Sequence, residues 1–180
     1  MTRPAKTQVY WSLIEHGDWY MHIAATVDGL CFVGSRNHPL EEMTAWIEAR
    51  LPGSAVVRDD EMLHPYAAEL IQYLQGARER FTVPFDLRGT PFQLAVWEAL
   101  GAVPYGATRS YSDIANAIRK PAAVRAVGSA IGANPLLITV PCHRVVGKNG
   151  TLTGYRGGLE MKKKLLELET SGASTEGTGT

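Results

Sequence analysis

Residues 110–134 read SYSDIANAIRKPAAVRAVGSAIGAN. The architecture of the second half of the chain turns on these residues. Ser110 is an N-cap residue ahead of a short helix, YSDIANAI, and Lys120-Pro121 breaks that helix. PAAVRAVGSAIGAN then restarts as a second one, because proline fits a first helical turn and not a helix interior. Residues 110–133 therefore read as a helix-turn-helix. At about 100° per residue, Val124, Val127 and Ile131 share one face of the second helix. The opposite face holds Ala122, Ala126, Ser129 and Ala133, with Arg125 and Gly132 at its edge. A face of small residues allows close backbone approach, either to another helix or to DNA. It lacks the long polar side chains that read base edges in the major groove, so on DNA it suits a shallow, sequence-tolerant approach.

Upstream, Thr90-Pro91 caps and opens a helix PFQLAVWEAL with Phe92, Val96 and Leu100 on its buried face. Downstream, the apolar run LLITV (136–140) reads as a strand leading into VPCHRVVG (140–147). Asn149-Gly150 reads as a hairpin turn, and GGLEMKKKLLELE as a final helix with Leu159, Leu165, Leu166 and Leu168 on its apolar side. The first half has an α+β pattern. QVYWSLIEH, WYMHIAATV and LCFVG are strand-like, with Asp28-Gly29 as a hairpin turn. HPLEEMTAWIEARL has helical spacing at Leu40, Met43, Ile47 and Leu51, AVV (55–57) is a short strand, and AAELIQYLQG is a second helix. FTVPFDLRG is an extended connection. The expected architecture is an α+β domain over 1–88, a small antiparallel sheet with helices, followed by a mostly α domain over 89–169 with the helix-turn-helix. A polar tail over 170–180 is expected to be disordered.

The chain has 180 residues, 45% apolar and 20% charged, as in an ordinary globular protein. No apolar run reaches the roughly 20 residues that span a bilayer, and MTRPAKTQ lacks a signal-peptide core. A cytoplasmic protein with no membrane partner and two free thiols, Cys31 and Cys142, is expected. The net charge of zero hides an asymmetry. Residues 1–88 carry 8 Lys/Arg against 12 Asp/Glu, whereas 89–169 carry 10 against 5. A basic second half is compatible with a polyanion partner. Part of the excess is the run Lys162-Lys163-Lys164, which reads equally as a solvated helix face.

Cys142 and His143 stand side by side in the apolar surroundings of VPCHRVVG. Cysteine is among the most buried residue types, so a structural thiol beside a satisfied histidine is the bland reading. The sharper one is a nucleophile with its activator, since a free thiol titrates near about 8.5 and needs an imidazole or a basic network to form thiolate. In a strand the two side chains point to opposite faces, so they cooperate directly only if Pro141 breaks the strand; otherwise a water must relay the proton. A zinc site needs about four ligands, and near Cys142 only His143 offers one. A phosphatase loop needs an Arg where Lys148 stands. A cysteine protease remains open on these residues alone.

VPCHRVVG preceded by Asn134-Pro135 and followed by GYRGGLEMKKKLLELE resembles the active-site signature of the O6-alkylguanine-DNA alkyltransferases. The likeness runs from PFQLAVWEAL through SYSDIA and AVRAVGSAIGANP to Glu169. The first half resembles that family's variable N-terminal domain only in length and pattern. The resemblance implies single-turnover repair, in which Cys142 takes the alkyl group from guanine O6 in double-stranded DNA with no cofactor. It also implies that His143 accepts the thiol proton through a water, oriented by Glu169. Tyr111 assists the leaving base, and Asn134 braces the turn between recognition helix and active-site strand. Tyr155, Arg156 and Gly157 form a loop over the pocket. The carbonyls of Cys142 and Val145 select guanine by its amine. Arg125 fills the stack when the base is flipped, with Ala126, Ser129 and Gly132 against the minor groove. A monomer is expected.

The chain departs from the family pattern in two places. Some members bind zinc in the N-terminal domain, but Cys31, His16, His22, His38 and His64 lack the spaced cysteine pair, so no metal is expected. Position 156 is Arg where other members carry small residues. Its long side chain either narrows the range of alkyl groups or swings out to solvent. The competing function is a non-catalytic lesion-binding module that recruits other repair factors. Relatives of that kind replace the cysteine, so Cys142 argues against it. A helix-turn-helix transcription factor would need sequence-reading side chains that the second helix lacks.

Overall fold

The computed structural model describes residues 6–176. Its first half is a four-stranded sheet of β1 (Gln8–His16), β2 (Trp19–Thr26), β3 (Gly29–Val33) and β4 (Ala55–Arg58), in the order β3-β2-β1-β4. β1 and β2 form a hairpin in the register Tyr10↔Ala25 to His16↔Trp19, and β3 pairs antiparallel beyond it. β4 joins the other edge parallel to β1, so the sheet is mixed and not wholly antiparallel. Parallel pairing requires a crossover, and helix α1 (Leu40–Arg50) supplies it. Met43 and Ile47 of α1 cover one face of the sheet together with Val9, Ala24, Cys31 and Phe32.

The other face carries Ile14, Met21, Ile23, Leu30 and Val33 into a second, larger core. That core takes in helix α2 (Asp60–Leu74) and continues without interruption into Val96, Leu100, Val127, Leu136 and Cys142 of the second half. The segment FTVPFDLRG runs extended past β3, with Leu30 N–H donating to the Pro84 carbonyl (3.0 Å) and Asp86 N–H to that of Leu30 (2.8 Å). Gly29 is required there: its φ is +152°, and a Cβ would lie 2.6 Å from the Pro84 oxygen.

In the second half, α3 (Pro91–Gly101) opens with a complete capping box of Thr90 and Gln93, and α4 (Tyr111–Ala117) with one of Ser110 and Asp113. α5 (Val124–Gly132) completes the helix-turn-helix. Strand β5 (Arg109–Ser110) lies parallel to β6 (Val145–Val146), which ties the start of the helix-turn-helix to the segment after Cys142. α6 (Leu159–Glu176) closes the chain.

Several details differ from the sequence reading. α2 starts seven residues before AAELIQYLQG, capped by Asp59, because Pro65 falls within it and masks the periodicity. LLITV is a turn and not a strand: only Leu136 makes a bridge, to Val33, and Ile138 has φ +69°. Asn149-Gly150 belongs to a short 3-10 turn (Lys148–Gly150) rather than a hairpin, since β6 pairs with β5 and not with a strand beyond the turn. On α6, Leu159 is half exposed, and Met161, Lys162, Leu165 and Glu169 make the buried face. α6 also runs through 170–176, the first part of the expected tail, while 177–180 lie outside the described residues.

Candidate active site

The site forms where the chain leaves α5. Asn134 is fully buried, and its Nδ2 donates to the carbonyls of Leu136 (3.2 Å) and Val140 (3.0 Å) and to Cys142 Sγ (3.1 Å). Its Oδ1 accepts from the Leu136 N–H (2.9 Å). One amide thus satisfies main-chain groups that an irregular buried segment leaves without ladder partners. Pro141 (φ −79°, ψ 61°) leads into a 3-10 turn, Cys142–Arg144, so the strand expected here is absent and there is none for the proline to break. Three residues per turn separate successive side chains by about 120° instead of opposing them.

His143 is fully buried, with Nε2 2.6 Å from Glu169 Oε2. The same carboxylate accepts from Arg144 Nε (2.8 Å) and Nη2 (3.0 Å), from the Tyr73 hydroxyl of α2, and from the Gly106 N–H (3.3 Å). Burial works to raise the Glu169 carboxyl, but the hydrogen bonds from His143, Arg144 and Tyr73 outweigh it and hold the group at about 2. An ionised carboxylate only accepts, so His143 Nε2 carries the ring proton. Nδ1 is left as a bare, buried acceptor without a partner among the described residues. Burial lowers the His143 pKa, against the pull of Glu169, and keeps the ring neutral.

Cys142 itself is 3% exposed. Burial pushes its thiol up, and the Asn134 amide and the charges of Arg156 and Lys162 pull it only part of the way back. The resting side chain is a thiol. Lys162 of α6 is buried, donates to the Thr153 carbonyl (3.1 Å), and has its own pKa lowered by burial. It is not the solvated lysine that the run of three implied.

A cavity of about 270 Å³ opens onto Cys142. Tyr111, Gly128, Ile131 and Gly132 form one side, and Gly154, Tyr155 and Arg156 the other. The Tyr155 hydroxyl is buried with no partner among the described residues, and the Tyr111 hydroxyl lies 2.7 Å from Thr153 Oγ1. Val145 and Gly157 do not line this cavity. Val145 is fully buried beside it and donates its N–H to the Cys142 carbonyl, which keeps one lone pair free. Gly157 is held by packing, since a Cβ there would meet Met161 Sδ at 2.5 Å. A larger cleft of about 550 Å³ lies elsewhere, between Phe81, Phe85, Tyr105 and Arg144, and does not include Cys142.

Arg156 lines the cavity and does not swing out to solvent. It turns inward, donating from Nε to the Asn134 carbonyl (3.1 Å) and from Nη2 to those of Val33 (2.8 Å) and Pro135 (3.2 Å). Glu42 lies 3.5 Å from Nη1 and the Phe32 ring 5.2 Å from the guanidinium carbon. The side chain clamps the pocket loop to the first-half sheet. On α5, Arg125, Ala126, Ser129 and Gly132 are exposed or half-buried while Val127, Ala130 and Ile131 are buried, so the small-residue face is open to a partner. It abuts the cavity through Gly132.

Sequence reasoning assigned no role to Arg144, Tyr73, Lys162 or Thr153. Lys162 was within reach: with Leu165 and Glu169 it follows the spacing of a single helix face. Tyr73 had no local signal, because its bond to Glu169 joins positions far apart in the chain.

Two sequence profiles match this chain. One, described as "6-O-methylguanine DNA methyltransferase, ribonuclease-like domain", covers residues 9–87, and the other, "6-O-methylguanine DNA methyltransferase, DNA binding domain", covers 91–171. The inducible methylated-DNA–protein-cysteine methyltransferase of Bacillus subtilis is 63% identical over 169 residues, 94% of each chain. The crystal structure of the Mycobacterium tuberculosis O6-methylguanine methyltransferase superposes with a TM-score of 0.78 at 39% identity, covering 91% of this chain and 93% of that one. A structure of the same organism's OGT in complex with DNA gives 0.77 at 39% identity, covering 91% and 94%.

Proposed function

This chain belongs to the 6-O-methylguanine DNA methyltransferase family, and from that membership we propose how its residues carry out the repair. The protein repairs DNA by moving an alkyl group from guanine O6 onto its own cysteine. The observation that carries the assignment of residues is a buried thiol lining a base-sized cavity, next in sequence to a histidine whose Nε2 is fixed by Glu169 and whose Nδ1 has no partner among the described residues.

In this reading the Cys142 proton passes through one water to His143 Nδ1, and Glu169 balances the imidazolium. The sulfur bonds the alkyl carbon, the C–O bond breaks, and its electron pair stays on guanine. Tyr111 supplies a proton to the base and recovers one from the imidazolium through solvent, so the net proton moves from thiol to guanine. Soft sulfur suits attack on saturated carbon. The thioether has no good leaving group, so each molecule acts once. The acceptor is the protein's own sulfur, and no cofactor enters the step.

A base inside a duplex cannot reach this thiol and is flipped out, at a cost of a few kcal/mol. The exposed small face of α5 lies against the minor groove, with Arg125 in the vacated place. Among the described residues no helix is long and apolar enough to cross a membrane. We place the protein as a monomer in the cytoplasm, acting on chromosomal DNA. The competing reading, a lesion-binding module without chemistry, is not favoured, because the thiol is present. Intact mass after incubation with a duplex containing O6-methylguanine tests the assignment. One methyl group on Cys142 is expected, with none on Cys142→Ala; label on Cys31, or more than one repaired guanine per protein, overturns it.

A further inference from the structure

We propose that Thr153 is a positioning residue that turns the Tyr111 hydroxyl proton toward the base. The proposal rests on the transfer reading above and deepens it. Thr153 lies in the loop before α6, held at three points. Its carbonyl accepts from Lys162 Nζ (3.1 Å), its methyl packs where a Cβ on Gly147 would lie 3.0 Å away, and its hydroxyl is 2.7 Å from that of Tyr111. A β-branched side chain has few χ1 wells, and with the methyl seated on Gly147 the hydroxyl is directed at the phenol.

A phenol has one proton. If Tyr111 donates it to Thr153, none is left for the base. If Thr153 donates instead, the Tyr111 proton points into the cavity, where Cys142 also lies. An acceptor on a seated purine favours the second arrangement and completes a chain of donors from Thr153 through Tyr111 to the base. Successive hydrogen bonds polarise one another, so the chain strengthens as negative charge builds on the departing guanine. Thr153 does not itself line the cavity and acts only through Tyr111.

The test is single-turnover transfer from a duplex containing O6-methylguanine, with DNA affinity and melting temperature measured alongside. Thr153→Val removes the hydroxyl at nearly constant shape, and the transfer rate should fall about tenfold, the upper range for one neutral hydrogen bond. DNA affinity should be unchanged, and Thr153→Ser, which keeps the hydroxyl but loses the methyl that seats it, should transfer faster than Thr153→Val. In a Tyr111→Phe background Thr153→Val should cost nothing further, because the partner is already gone. If the valine variant fails to fold, Thr153→Ala carries the same comparison. A wild-type rate in the valine variant, an equal loss in the Tyr111→Phe background, or a serine variant as slow as valine overturns the proposal. A wild-type protein that transfers nothing overturns the transfer reading instead, and the two failures are told apart by that control.

Discussion

The molecule holds two buried free cysteines, in two settings. Cys31 is fully buried in the core between the sheet and α1, among Val9, Phe32 and Met43. Burial pushes its thiol up to about 12, and the nearby Asp86 charge adds to the effect. Cys142 is nearly as buried, and burial raises its thiol too. What separates them is the polar company. Cys142 has an Asn134 hydrogen bond, the charges of a buried Lys162 and a partly buried Arg156, an adjacent imidazole nitrogen with no partner among the described residues, and a cavity open to one side. Burial alone silences a thiol; a nucleophile needs a proton acceptor and an access route in addition. Cys142 is accordingly not a standing thiolate.

Removing the acceptor should make Cys142 behave like Cys31. His143→Ala should slow transfer by at least about 100-fold, the lower range for a general base, on free O6-alkylguanine and on DNA alike. Cys31→Ala should leave the rate unchanged. The pH profile sharpens the contrast. Burial lowers the His143 pKa below its ordinary 6.5, so the wild-type ring is neutral and competent down to that value. The transfer rate should therefore hold as pH falls to 6.5 and drop only on passing through the lowered pKa. The acid limb should be missing from His143→Ala. A limb centred at or above 6.5 would show that the histidine is not desolvated in solution.

Access is the second half of the contrast. Arg125 is exposed on α5, while the cavity beneath that helix leads to Cys142. Arg125→Ala should slow repair of duplex DNA about tenfold, taking base extrusion to cost a few kcal/mol of which the side chain offsets a part. Reaction with the free base should be unaffected. Equal losses on both substrates would assign Arg125 to holding the fold and would leave the route to Cys142 unexplained.

The same division marks what was legible in the sequence. Local chemistry read well: the N-caps at Thr90 and Ser110, the break near Pro121 and the small face of α5 all rest on short-range rules. The resemblance placed His143 and Glu169 together, and they do meet. Illegible were contacts that only tertiary structure makes. Tyr73 on α2 reaches Glu169, and Arg156 donates to the carbonyls of Val33 and Pro135. The strand expected over LLITV failed for a related reason. An apolar run bounded by turn residues looks like a buried strand, but here Asn134 supplies the hydrogen bonds a neighbouring strand would give.

The smallest expected effect comes after transfer, from the adduct itself. In the free protein Cys142 Sγ accepts from Asn134, which at the same time holds the Leu136 and Val140 carbonyls, while Arg156 hangs on the Asn134 and Pro135 carbonyls. Alkylation enlarges a sulfur that is buried on every side but that of the cavity, and weakens it as an acceptor. Overpacking of this kind costs typically about 1–3 kcal/mol. In a chain of this length each kcal/mol moves the melting temperature by about 2–4 °C. The alkylated protein should therefore melt several degrees lower than the thiol form in one buffer, with benzyl doing more than methyl, and should be cut faster by protease. Because Asn134 lies just past the end of α5, the loosening should reach the DNA face, so that the spent protein binds duplex more weakly. An unchanged or raised melting temperature would mean that the cavity absorbs the adduct without strain. The Asn134 hydrogen bond would then count for nothing in distinguishing the two cysteines, and the acceptor and the access route would account for the whole difference.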